Sequence, residues 1–216
     1  VSGVFITFEG ADGSGKTTQL RRAAERLINT DVELVVTREP GGSSAGAEIR
    51  ALVLETRDQP ISPVAELLLI EADRAQHVQE TIAPALERGA LVLCDRFTDA
   101  TVAYQGAGRG LDLELIATVN RVATGGLQPD LTLLFDIEVE EAMRRLAARA
   151  GSAGEDAPTR FDMERADFHD RVRRGYLAIA AAEPSRVAVI DANRPVDEVG
   201  GDVDRLLDEI RCRFGI

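Results

Sequence analysis

The chain has 216 residues, 37 acidic against 25 basic side chains and a formal net charge of −12, so it has no overall basic field with which to release counterions from a nucleic-acid backbone, and a nucleic-acid polymer is excluded as the expected partner. Two cysteines and 44% hydrophobic residues exclude a disulfide framework, point to a reducing, cytoplasmic setting, and supply enough apolar material for one domain over 1–216 with a sizeable core. No leader is expected, and the apolar runs are too short and too interrupted to cross a bilayer.

The first apolar run, Val4-Phe5-Ile6-Thr7-Phe8, reads as a buried strand. It leads into Gly10-Ala11-Asp12-Gly13-Ser14-Gly15-Lys16-Thr17, the spacing of a phosphate-binding loop. Glycines allow turns closed to other residues, so that successive N–H groups converge on phosphate oxygens. Lys16 brings a positive charge to the β and γ phosphates, the Thr17 hydroxyl is placed for Mg²⁺, and Thr18 completes the set. Leu20, Ala23, Ala24 and Leu27 give residues 17–28 helical spacing, so a helix dipole points at the same anion. A nucleoside triphosphate is the expected ligand.

Further strands are predicted over 32–37, 90–94, 131–137 and 187–190, with helical patterns between them, among them a long helix over 63–88 and a final helix with Val203, Leu206, Leu207 and Ile210 on one stripe. Apolar strands without polar alternation, joined by helices, predict a three-layer α/β sandwich of the P-loop NTPase kind, with a parallel five-stranded sheet flanked by helices. Cys94, inside a strand run, and Cys212 read as buried apolar filler. Residues 149–159, rich in small and acidic residues with Gly151, Gly154 and Pro158, read as a mobile loop, and the lid is placed at about 149–162. Arg165, Arg171, Arg173 and Arg174, interleaved with Asp167 and Asp170, read as a solvated helix face.

The loop by itself leaves GTPases, transport ATPases and kinases open. Arginines narrow the choice: Arg38 ends the second strand, Arg50 and Arg74 sit on the following helices, and Arg96 follows Asp95 at the end of the third strand. Ends of parallel strands meet at one rim, the usual ligand site of such sheets. Several guanidiniums there suit a second, phosphorylated substrate. No Asn-Lys-x-Asp guanine-reading motif is present.

Phe8-Glu9-Gly10, Thr37-Arg38-Glu39-Pro40-Gly41-Gly42, Asp95-Arg96-Phe97, Ala103-Tyr104-Gln105-Gly106 with Arg109-Gly110, and Pro129-Asp130-Leu131-Thr132 together resemble the bacterial thymidylate kinase family over nearly the whole chain. The resemblance implies phosphoryl transfer from ATP, with Mg²⁺, to dTMP, and a homodimer packed through long helices. It implies that Asp12 accepts from the deoxyribose 3′-hydroxyl, that Tyr104 lies under the sugar and crowds a 2′-hydroxyl, and that Arg74, Thr101 and Gln105 read the thymine edge. Arg50 and Arg96, with Arg38 beside them, would hold the acceptor phosphate. Asp95 would serve the metal's water shell or orient Arg96, and Glu9 and Glu39 are further carboxylates near that shell. Some family members carry an arginine directly after the loop carboxylate. Here that position is Gly13, and the resemblance transfers the role to the lid, to Arg160 first and Arg149 next. Three positions depart from the pattern: Ile70 where the family usually has a ring stacking on thymine, Ala100 where a hydroxyl is frequent, and, as a mild variation that changes little, Phe97 in the Asp-Arg-aromatic triplet. A different nucleotide or deoxynucleoside kinase of the same fold, and a silent nucleotide-binding module, are the remaining readings.

Overall fold

The computed structural model describes residues 3–28, 31–56, 58–148 and 159–215. Strands β1 (Val4–Glu9), β2 (Leu34–Arg38), β3 (Leu91–Asp95), β4 (Leu131–Asp136) and β5 (Val187–Asp191) form one parallel sheet in the order β2-β3-β1-β4-β5. Side chains on β1 alternate between two cores. Val4, Ile6 and Phe8 pack against Leu20, Ala23 and Leu27 of α1 (Lys16–Leu27) and Val199, Val203 and Leu207 of α9 (Val196–Phe214). Phe5 points the other way, to Val78, Ile82, Ala85, Val92 and Phe97. With both faces covered, the strands need no polar alternation. The central polar exception, Thr7, is satisfied across the sheet by Thr132, hydroxyl to hydroxyl at 2.8 Å.

Helix α2 (Gly46–Leu54) carries Arg50 to the crevice, and α3 (Pro63–His77) carries Arg74. Ser62 caps α3 by accepting from the Ala65 N–H, and Pro63 occupies the first turn, where no N–H is needed. The single helix predicted over 63–88 is interrupted: a π-helical turn, Val78–Ile82, separates α3 from α4 (Ala83–Glu87). Pro84 has no N–H to give and its ring crowds the preceding turn, so the helix widens there. After β3 comes the short α5 (Thr98–Thr101), and then a second π-helical run, Val102–Gly108, which bears Tyr104 and Gln105. The remaining helices are α6 (Leu113–Thr124), α7 (Val139–Ala148) and α8 (Ala166–Ala182).

Cys212 and Arg173 also depart from expectation. Cys94 is buried, but Cys212 is exposed on the last turn of α9, where the stripe of apolar positions has rotated away from it. Arg171 and Arg174 do pair along α8 with Asp167 and Asp170, but Arg173 leaves that face. It clamps Asp136 and Glu138 at the end of β4, with its Nε 2.7 Å from Asp136 Oδ1. Of the expected lid, 149–158, including Arg149, lies outside the described residues. Residues 159–162 form a turn in which the Thr159 N–H donates to Asp162 Oδ2 at 2.7 Å. Among the described residues no helix is long and apolar enough to cross a membrane.

Candidate active site

The loop between β1 and α1 is a run of backbone shapes that only glycine takes easily. Gly10, Gly13 and Gly15 have φ of 143°, 83° and 84°. A Cβ on Gly10 would lie 2.6 Å from the Phe135 carbonyl oxygen, and one on Gly13 would lie 2.6 Å from that of Ala142 in α7. The loop therefore lies flat against β4 and α7, and α1 begins at its end, with its free N–H groups pointing into the crevice.

Lys16 is buried, its Nζ 3.6 Å from Asp12 Oδ1. Burial, then the nearby Arg96, holds its pKa below the ordinary lysine value. Thr17 Oγ1 donates to Asp95 Oδ2 at 2.7 Å, while Asp95 Oδ1 and Ser14 Oγ are buried and take no hydrogen bond from any described residue. A hydroxyl, a carboxylate and an unsatisfied carboxylate oxygen beside a phosphate loop are hard oxygen donors, and that chemistry fits Mg²⁺ completed by phosphate and water.

Arg96 is the junction of the site. Its backbone φ is 72°, the one positive value at a non-glycine among the described residues. Its guanidinium donates to the Gly10 carbonyl oxygen at 3.0 Å, the Tyr176 hydroxyl at 3.0 Å, Asp12 Oδ1 at 2.7 Å and the Tyr104 hydroxyl at 3.0 Å. Tyr104 in turn donates to Asp12 Oδ2 at 2.7 Å. Burial works to raise the Asp12 pKa, but Arg96, Lys16 and the Tyr104 hydroxyl outweigh it and hold the carboxyl well below the usual range. Glu9 accepts from the Phe97 N–H and the Tyr176 hydroxyl, both at 2.7 Å. Burial, reinforced by Asp99, pushes its pKa up to about 8. The two carboxylates therefore differ in role: Asp12 faces the crevice ionised, whereas Glu9 braces Tyr176 and the Arg96–Phe97 backbone from beneath.

Arg74 is 1% exposed. It donates to Glu39 at 2.8 Å, Thr101 at 2.9 Å, Asn120 at 2.7 Å and the Phe97 carbonyl at 3.0 Å, and it also pairs with Glu71. Burial alone would lower its pKa, but Glu39 and Glu71 keep it above the ordinary value. Glu39 also bonds the buried His77 ring at 2.8 Å. Glu9 and Glu39, which the sequence placed near the metal shell, are thus both occupied by protein donors.

Two connected cavities result. The larger, about 940 Å³, is lined by Gly13, Lys16, Thr17, Thr18, Arg38 and Asp95. The smaller is lined by Ile70, Arg74, Thr101, Tyr104, Gln105 and Phe161. Asp12, Glu39, Arg50, Arg96 and Thr159 border both. Ile70 occupies the wall of the smaller cavity without offering a ring. Arg160 sits apart from the loop: it donates to Glu66 at 2.6 Å and to the Val53 carbonyl, and it lies over the Phe161 ring at 4.4 Å.

Sequence reasoning missed Tyr176, Glu66, Asn120 and Phe161. One signal for Tyr176 was available, since Gly175 lies mid-helix, where glycine marks a close approach. Its Cβ would be 2.8 Å from that of Ala107, so glycine lets α8 press onto the run bearing Tyr104. Glu66 and Asn120 carried no such signal, because their partners come from distant elements.

The Thymidylate kinase family model matches residues 8–203. The chain is 51% identical over 212 residues to "Thymidylate kinase" of Geobacter sulfurreducens, covering 98% of this chain and 100% of that protein. It is 53% identical over 205 residues to "Thymidylate kinase" of Geobacter sp. (strain M21), covering 95% and 91% respectively. The crystal structure of thymidylate kinase from Ehrlichia chaffeensis superposes with a TM-score of 0.76 at 34% identity, covering 96% of this chain and 100% of that one. The chain therefore belongs to the thymidylate kinase family, enzymes that phosphorylate dTMP to dTDP with ATP as donor.

Proposed function

We propose that a single domain over 1–216, with a lid at about 149–162, carries out this transfer across the boundary between the two cavities, with ATP on the loop side and dTMP on the Tyr104 side. The observation that carries this reading is the shared wall: Arg50 and Arg96, with Asp12 and Glu39, border both cavities, so cations meet both nucleotides where their phosphates would face each other. Phosphoryl transfer asks for alignment and neutralised charge more than covalent chemistry. Lys16 and the loop N–H groups hold the β and γ oxygens. Arg50 and Arg96 hold the acceptor phosphate, with Arg38 beside them. Asp12 accepts from the 3′-hydroxyl. Tyr104, pinned by Asp12 and Arg96, cannot retreat from a 2′-hydroxyl. Arg74, Thr101 and Gln105 read the base.

Thr17 and Asp95 would hold Mg²⁺, which supplies neutralising charge at the phosphate oxygens when bound. Arg160 reaches the transferring phosphoryl on closure, and water is excluded then. A homodimer is supported by exposed apolar pairs on two packed helices, Val64 and Leu68 of α3 and Leu115 and Val122 of α6. The setting we propose is the cytoplasm.

ADP production measured with each nucleoside and deoxynucleoside monophosphate in turn tests the reading. The expected order is dTMP above dUMP, with the ribose analogue of dTMP poor. Equal rates across the set would replace it with a general nucleotide kinase.

A further inference from the structure

Glu66 lies on α3, fully buried, at a convergence none of the expected roles uses. Its Oε1 accepts from Gln105 Nε2 at 2.7 Å and from Arg109 Nε at 3.3 Å. Its Oε2 faces Arg160 at 2.6 Å and Arg109 at 3.3 Å. A carboxylate has only acceptors, so the Gln105 amide must turn its NH₂ to Glu66 and its carbonyl oxygen the other way. Gln105 borders the smaller cavity, and no described residue donates to its Oε1.

We propose that Glu66 is a specificity-determining positioning residue, one that locks the Gln105 amide with its oxygen toward the bound base and thereby selects a pyrimidine carrying an N3–H over cytosine. This rests on the functional reading above. Thymine presents a C4 carbonyl beside an N3–H. Arg74 Nη2 gives one N–H to the Phe97 carbonyl and has its other for the first, and the Gln105 oxygen accepts from the second. Cytosine presents an amino group and a bare N3 at those places, so a donor meets a donor and a lone pair meets a lone pair. Rejection by mismatched buried polar groups is stronger than rejection by shape.

The two arginines make the lock directional. In Glu66→Gln only one side-chain oxygen remains, and the guanidiniums claim it as the stronger, charge-assisted donors. The new NH₂ then faces Gln105, whose amide must flip and present its own NH₂ to the base. Glu66→Asp keeps an acceptor-only group.

The test is the ratio of kcat/KM for dTMP to that for dCMP in the full-length enzyme. Glu66→Gln is expected to lower the ratio at least about tenfold, the size of one mismatched buried hydrogen bond. Glu66→Asp is expected to retain most of it, and Glu66→Gln is expected to add nothing on top of Gln105→Ala. An equal loss for both substrates in Glu66→Gln would make Glu66 a strut and overturn the proposal, as would a wild-type enzyme that uses dCMP as readily as dTMP. Should Glu66→Gln fail to fold, wild-type enzyme with 3-methyl-dTMP reads the same orientation. A loss of at least about tenfold supports the outward oxygen, and unchanged use refutes it. A wild-type enzyme inactive on dTMP would instead sink the functional reading itself.

Discussion

Arg96 holds a left-handed backbone angle that costs a side-chain-bearing residue on the order of 1 kcal/mol or more, and four acceptors around its guanidinium hold it there. Beneath it, Glu9 fixes both the Phe97 N–H and Tyr176. Because burial raises the Glu9 pKa to about 8, the folded protein binds a proton there that the unfolded chain, near 4.5, has already released at neutral pH. That contribution to stability is complete below about 4.5 and is lost as pH rises through about 8. We therefore expect the Tm of wild type to fall between pH 6 and 9 more steeply than that of Glu9→Gln, as measured by calorimetry in matched buffers. Parallel curves would show that Glu9 stays ionised against Arg96. Lys16→Ala is expected to abolish transfer in a coupled ADP assay while leaving the fold intact, and retained activity would contradict the loop assignment. Lys16, Thr17, Asp95 and Arg96 were legible in the sequence because each stands at a fixed offset from a strand end. Glu9's bracing role was not, because it depends on Tyr176, 167 positions away.

At the scale of elements, the five strands fell within two residues of the sequence expectation, since continuous apolar runs end abruptly at the crevice. The π-helical turns escaped it, because they shift hydrogen bonds by one residue without disturbing the apolar spacing that signals a helix. The contact between loop and α7 also bears on the arginine absent from the loop. At Gly13 a Cβ would collide with backbone of Ala142, and φ is 83°, so this loop cannot accept the side chain that other family members place there. Gly13→Arg is accordingly expected to weaken ATP binding in calorimetry and to lower turnover, and not to restore activity to an Arg160→Ala enzyme. Restoration in the double variant would mean that the loop lifts off α7 with little cost, and that its present seat is incidental.

For the molecule as a whole, the role proposed for Arg160 turns on where its charge is held before transfer. Arg160 is bound on the acceptor side, to Glu66 and the Val53 carbonyl, with its flat face on Phe161. The sequence pointed to the residue but not to this partner, because Glu66 lies 94 positions away on α3. In the proposed role, reaching the γ-phosphoryl would require that pair to break, and Arg109 would remain on Glu66 to keep the buried carboxylate compensated. The retained partner makes departure affordable, and Glu66 still holds Gln105 when Arg160 has gone. Closure can then proceed without loosening the base site. It follows that Arg160→Ala should lower kcat at least about tenfold, a conservative figure for an arginine that acts only on the transition state, while dTMP affinity measured by calorimetry stays within about threefold of wild type. The two readouts separate the alternatives. If kcat is unchanged and Tm falls, Arg160 is a strut between α2 and α3; if affinity collapses along with kcat, Glu66 needs both arginines to hold the acceptor site in shape.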